Sequence, residues 1–364
     1  MIRLYKDREV LQLNQPAISQ SSRKKTIVSI LLFLAIALLG LAYVKWIPYY
    51  GKSMTAITTH SIGDSILGSP GELQSFSWHS ASGYALAYFQ SVWKAAVLGI
   101  VLGSLIQVLI PANWLMKVLG KSSFGSTAVA GLSALPGMMC TCCAAPVAVG
   151  LRKRNASIGA SLAFWLGNPL LNPATLIFMT FVLSWKFTLL RVVFGVLLTF
   201  GVSYIANRLV PQKDHVELER IMNVVEEEDQ APFLSKWLKS LGTMIVYIVP
   251  AYILSVLLIG AVQGLLLPHI GNASGNVMIL ILLCALGGML FVIPTAAEIP
   301  IIQTMMAFGL GGGPAGALLI TLPAISLPSL LLVAKSFPAK VLLFVSGSVI
   351  LAGVLSGLIG MWLF

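Results

Sequence analysis

Acidic residues are scarce in this chain: 12 Asp and Glu stand against 23 Lys and Arg, and only 10% of the 364 residues are charged while 57% are hydrophobic. So little polar surface excludes an ordinary soluble domain and describes a chain solvated mainly by lipid. No Gly-x-x-x-x-Gly-Lys-Ser/Thr segment occurs, which excludes a phosphate-binding loop and argues against ATP-driven transport by this chain alone. Cysteine is limited to Cys140, Cys142, Cys143 and Cys284, all within apolar stretches, so a disulfide framework is not expected. No motif calls for a cofactor.

What is present is a series of long apolar runs. Segments of roughly 20 residues, enough to cross about 30 Å of hydrocarbon, fall near 27–49, 84–110, 157–183, 187–208, 240–267, 313–334 and 341–363. Two more, 122–150 and 276–310, are apolar but interrupted by Gly and Pro, and read as re-entrant hairpins or discontinuous helices. The first run, Thr26 to Tyr50, is too long for a signal-peptide core and reads as a retained transmembrane helix. The formal charge of +11 does not signal nucleic-acid binding, because the Lys and Arg residues cluster in short segments between apolar runs.

Those clusters orient the chain. Arg23, Lys24 and Lys25 place the N-terminus inside, and Arg152, Lys153 and Arg154 fall inside if 122–150 enters and leaves on one side. The expected organisation is a cytoplasmic tail (1–26), an extra helix (27–49), an external loop (50–80), a first permease repeat (81–210), a charged cytoplasmic linker (211–239) and a second repeat (240–364). The acidic run Glu226 to Asp229 reads as part of a solvated connector. A shift of 154 residues puts Pro146 on Pro300, Pro169 on Pro323 and Asn172 on Ser326. Loop counting gives the two repeats opposite orientation, so the expected fold is an all-α polytopic membrane protein of two inverted repeats plus one N-terminal helix.

Three constellations carry the chemistry. Pro136-Gly-Met-Met-Cys140-Thr141-Cys142-Cys143-Ala-Ala-Pro146 gathers thiols and a hydroxyl between two prolines that interrupt regular helix. Polarisable sulfur at this density suits trivalent arsenic, copper(I) or reactive sulfur species, although Cys also serves as a small hydrophobe at helix contacts. Asn168-Pro169-Leu-Leu-Asn172-Pro173 supplies amides expected to line a solute path, with repair of the kink as the alternative, since its prolines leave the carbonyls of Trp165 and Pro169 without helical donors. Pro294-Thr295-Ala-Ala-Glu298-Ile-Pro300 carries the single acidic residue inside an apolar segment, a candidate for proton coupling or for a neutral carboxyl tying a hairpin together. Thr321-Leu-Pro323-Ala-Ile-Ser326-Leu-Pro328 mirrors the Asn-Pro element with hydroxyls. Lys94 is expected to snorkel outward, with a pairing to Glu298 as the alternative, and Cys284 to fill the core.

On these motifs the chain resembles the bacterial predicted-permease family of the ArsP/YraQ type, which includes organoarsenical efflux permeases. The resemblance rests on Cys140-Thr-Cys142 before Pro146, on Asn168-Pro-Leu-Leu-Asn172-Pro, on Glu298-Ile-Pro300 and on Pro323 through Pro328, and covers about residues 85–364. It implies a multi-pass inner-membrane permease in which Cys140 and Cys142 hold a metalloid; Cys143 is an additional thiol beside the usual pattern. The expected partners are a small-molecule or metalloid substrate, the lipid bilayer and, as an option, a second copy in a homodimer. A permease for a sulfur compound or copper, a membrane-embedded thiol redox protein using Cys140 and Cys143, and a scaffold whose cysteines only pack remain as alternatives.

Overall fold

The computed structural model describes residues 20–62, 78–210, 232–272, 276–307 and 309–364, and every regular element among them is helical. The first part of the expected cytoplasmic tail, most of the expected external loop and residues 211–231 of the expected linker, with its acidic run, lie outside the described residues; from Phe233 that linker is helix, not connector.

Helix α1 (Gln20–Leu41) runs through a π segment (Ala42–Trp46) into α2 (Ile47–Thr59). The helix therefore continues ten residues past the expected end at 49. Pro48 does not stop it: it follows directly on the π segment, whose wider pairing, Ile47 N–H to the Ala42 carbonyl, absorbs the missing donor. The first half follows as α3 (Trp78–Leu109), α4 (Ala112–Leu119), α5 (Phe124–Ala134), α6 (Thr141–Lys153), α7 (Ile158–Leu170), α8 (Pro173–Val182), α9 (Trp185–Val196) and, after a π turn, α10 (Ser203–Ala206). The second half is α11 (Phe233–Asn272), α12 (Val277–Leu290), α13 (Glu298–Ala307), α14 (Gly312–Ala324), α15 (Leu327–Val333) and α16 (Ala339–Leu363).

Among the described residues six stretches are long and apolar enough to cross a membrane: Thr26–Thr59, Ser82–Leu109, Ile158–Val182, Trp185–Leu209, Gly312–Val333 and Ala339–Leu363. The 40-residue α11 contains the expected 240–267 segment. Element bounds repeat at the spacing of 154: Ile158–Leu170 falls on Gly312–Ala324, and Trp185–Leu209 on Ala339–Leu363.

The two interrupted segments turn back. At about 1.5 Å per residue, the 11 residues of α5 and the 13 of α6 each reach only part of the way across a 30 Å hydrocarbon layer. Ser157, just past α6, donates its backbone N–H to Leu119, just before α5, at 2.7 Å. The chain thus leaves and re-enters at one level, as a hairpin must. In the second half Gly313 at the start of α14 lies against Ile281 near the start of α12, which brings the two ends of that hairpin together as well.

Each hairpin tip contains a non-glycine residue at positive φ, Met138 (47°) in the first and Ala296 (70°) in the second. Such backbone costs about 1–3 kcal/mol and persists only where surrounding contacts hold it. For the first hairpin those contacts include α3: a Cβ on Gly99 would lie 2.2 Å from the Cys143 carbonyl oxygen and one on Gly103 2.4 Å from that of Pro146. Only glycine lets the α3 backbone approach the thiol-bearing helix so closely.

Candidate functional site

Cys140 caps the N-terminus of α6 in extended conformation, and the helix then carries Thr141, Cys142 and Cys143 in its first turn. All four side chains are buried. A spacing of three residues returns Cys143 to the face of Cys140, and their Sγ atoms lie 3.0 Å apart. Cys142 points elsewhere. Its Sγ is 3.2 Å from the Ser326 hydroxyl, which also lies 3.4 Å from that of Thr141. The thiols the structure brings closest are therefore Cys140 and Cys143, not Cys140 and Cys142. Among the described residues no three His, Cys, Asp or Glu side chains gather as a metal site. All four cysteines are free thiols; Cys284 is a fully buried core residue on α12.

The prolines divide into two kinds. Pro136 and Pro294 lie in the hairpin breaks, while Pro173 and Pro328 occupy the first turns of α8 and α15 and start those helices after a break. Pro146, Pro169, Pro300 and Pro323 sit inside helices. Pro146 does not break its segment as the sequence suggests, because α6 continues through it to Lys153 with only the Cys142 carbonyl deprived of its helical donor. Pro300 is harmless in the first turn of α13.

The two asparagines have separate duties. Asn168 accepts from the Met139 N–H at 3.4 Å and donates to the Phe164 carbonyl at 2.9 Å, tying α7 to the tip of the first hairpin. Asn172 caps α8, its Oδ1 accepting from Ala174 and Thr175 N–H at 3.0 and 3.3 Å. Its Nδ2, however, is buried without a partner, as is the Thr175 hydroxyl. Ser326 caps α15 in a reciprocal arrangement with Ser329, the hydroxyl counterpart of the Asn172 cap.

Glu298 is buried and paired, but not with Lys94. Arg191 on α9, an intramembrane cation that the sequence reading passed over, places Nη2 2.9 Å from the Glu298 carboxylate. The same guanidinium donates to the carbonyls of Pro169 (2.8 Å), Leu170 (3.1 Å) and Leu319 (3.2 Å). Pro173 and Pro323 lie four residues after Pro169 and Leu319 and deprive those carbonyls of their helical donors. A single arginine thus satisfies both broken helices and the buried acid. The available signal was Arg191 itself, within a span otherwise apolar.

Lys45 is a second intramembrane cation missed in the sequence. It lies in the π segment of the first helix, 5% exposed, with Nζ donating to Thr295 Oγ1 at 3.1 Å and Tyr49 OH at 3.2 Å. Next to it, Trp46 Nε1 donates to the Pro136 carbonyl at 2.8 Å. The extra helix therefore bonds to both hairpin tips. A cavity of about 10 Å³, room for about one water, is lined by Cys140, Thr141, Thr175, Thr295 and Glu298 among others.

Residues 134–361, which hold both hairpin tips, the thiols and the Arg191–Glu298 pair, match a family described as Predicted permease. The chain belongs to this predicted permease family. The permease is 49% identical over 326 residues to the UPF0718 protein YraQ of Escherichia coli K12, covering 90% of this chain and 93% of the relative. It is 24% identical over 315 residues to the UPF0718 protein MJ0584 of Methanocaldococcus jannaschii, covering 69% and 86%. No solved structure matches. Family and spans together make the permease a multi-pass membrane protein. The family match begins at Ala134, later than the expected 85, whereas a relative covering 90% of the chain takes in most of the N-terminal helix and the loop after it, which the sequence reading left unmatched.

Proposed function

We propose that this permease is a secondary transporter of the cytoplasmic membrane, N-terminus inside, that exports a soft, thiophilic small solute such as a trivalent organoarsenical. The observation that carries the reading is the pair of buried thiols 3.0 Å apart at a helix break, beside a cavity that also meets the second hairpin at Thr295 and Glu298. Two polarisable sulfurs on one helix face offer a bidentate grip to a soft acceptor, and the unpartnered Thr175 hydroxyl, which lines the same cavity, supplies a polar contact. At about 10 Å³ the cavity is closed to any such solute. Binding requires the hairpins to part, in keeping with alternating access between two inverted repeats.

The test is flux of a trivalent methylated arsenical in everted membrane vesicles, comparing the native protein with a Cys140, Cys142 and Cys143 triple Ala variant. Gradient-driven flux that the variant loses supports the reading. Equal flux in both refutes the thiol site.

For Glu298 the Arg191 pair favours a second role over carrying the coupling proton: a fixed anion that holds the two halves together. Transport by Glu298→Gln with its pH dependence unchanged supports the fixed role. A flattened pH profile with intact folding restores the proton carrier.

A further inference from the structure

A cavity of about 520 Å³ lies between the first helix, α3, α8 and the second hairpin tip. It falls within the range of small-molecule sites, about 300–1,000 Å³. It shares Pro294, Thr295 and Ala296 with the small thiol-lined cavity, so the two compartments adjoin across the second tip. Its charged lining is of one sign: Lys45, Lys52 and Lys94, with no carboxylate among the described lining residues.

Lys52 and Lys94 are exposed and lie toward the open part of this chamber, Lys94 resting over the rings of Tyr43 and Trp93. Lys45 is buried where the chamber meets Thr295. Its two hydrogen-bond partners, Tyr49 and Thr295, are neutral groups. Glu298, the intramembrane carboxylate nearest in sequence to this tip, is held by Arg191. A chamber lined by one sign of charge concentrates the opposite sign.

We propose that this chamber is an anion-collecting vestibule and that the solute passed between it and the thiols is a small soft anion, the class represented by hydrosulfide and thiosulfate. The inference rests on the thiol site proposed above and changes its ligand from an electrophile gripped by the sulfurs to an anion that accepts hydrogen bonds from them. Lys52 and Lys94 raise the local anion concentration, and Lys45 binds the charge as the soft end accepts from the Cys140 thiol. This disfavours copper(I), which the three lysines would repel.

The test uses the purified full chain in proteoliposomes, with radiolabelled thiosulfate as the anionic probe and a neutral trivalent methylarsenical as its uncharged counterpart. The expected results are saturable thiosulfate flux, a loss of tenfold or more in kcat/KM in Lys45→Gln, and recovery to within about threefold in Lys45→Arg. The Lys52→Gln/Lys94→Gln pair should lose most of the salt dependence of the thiosulfate rate, while neutral-probe flux changes less than twofold in every lysine variant. Equal losses for both probes in Lys45→Gln would reduce Lys45 to a structural or thiol-activating role and overturn the proposal. So would the absence of thiosulfate flux in folded native protein. Lysine-dependent thiosulfate flux that survives Cys140→Ala instead upholds the vestibule and removes the thiol site, so the two readings fail separately.

Discussion

Arg191 Nη2 and the Glu298 carboxylate meet at 2.9 Å with both side chains buried, joining α9 of the first half to the second hairpin. Removing one member of a buried pair leaves the other charged and unsolvated, at a cost of about 3–5 kcal/mol. Arg191→Met should be the more damaging change, since it also strands the carbonyls of Pro169, Leu170 and Leu319. The expected outcome is little folded, monodisperse protein in detergent for Arg191→Met and a lowered melting temperature for Glu298→Gln. Native-like melting of Arg191→Met would show that the pair contributes nothing to stability.

Gly103 should not tolerate alanine. The added Cβ would lie 2.4 Å from the Pro146 carbonyl oxygen, backbone against backbone, so α3 and α6 must separate. Overpacking of this kind costs about 1–3 kcal/mol. Gly201, where nothing lies within 4 Å of an added Cβ, is the control. Thermal unfolding in detergent should separate Gly103→Ala from Gly201→Ala.

Trp46→Phe tests whether the first helix holds the hairpin tip. It deletes the bond to the Pro136 carbonyl and leaves most of the ring contact, for an expected loss of about 1 kcal/mol. Amide hydrogen exchange should rise at the described tip residues around Gly137 and Met138 and not in α16. Unchanged exchange at the tip would make the first helix a passive neighbour.

The two thiols on one face of α6 should respond to oxidant together. Mild oxidation is expected to remove two thiols from the native protein and from Cys142→Ala, and none through this pairing in Cys143→Ala; thiol counting by mass spectrometry reads the outcome. The 3.0 Å separation of Cys140 and Cys143 motivates this choice of partners. Persistence of the two-thiol loss in Cys143→Ala would show that Cys142 can take its place.

Much of the fold was readable because long apolar runs and prolines act locally. The run of 187–208 appears as Trp185–Leu209, and the Gly- and Pro-interrupted segments turn back on themselves as hairpins. Asn168 and Asn172, expected to line a solute path, spend most of their hydrogen bonds on the broken backbone. What sequence reasoning missed was non-local. Arg191 finds Glu298 107 residues away and Leu319 128 away, and Lys45 finds Thr295 250 away. No window of periodicity or spacing contains such pairs, and a lone cation in an apolar run is easily absorbed into loop counting. The thiol pairing was half legible: the family resemblance points to Cys140 and Cys142, whereas the spacing of Cys140 and Cys143 puts those two on one helix face, as the structure has them.

The position of Arg191 constrains how this permease can move. Its guanidinium holds carbonyls from the ends of both discontinuous helices, α7 and α14, so a displacement separating those helices would expose orphaned oxygens on each side in the same instant. The least costly motion keeps α7, α9 and α14 together as a stationary spindle. The second hairpin would then pivot where Glu298 stays on Arg191, and the first helix, bound to both tips through Lys45 and Trp46, would travel with their free ends like a handle fixed to two doors.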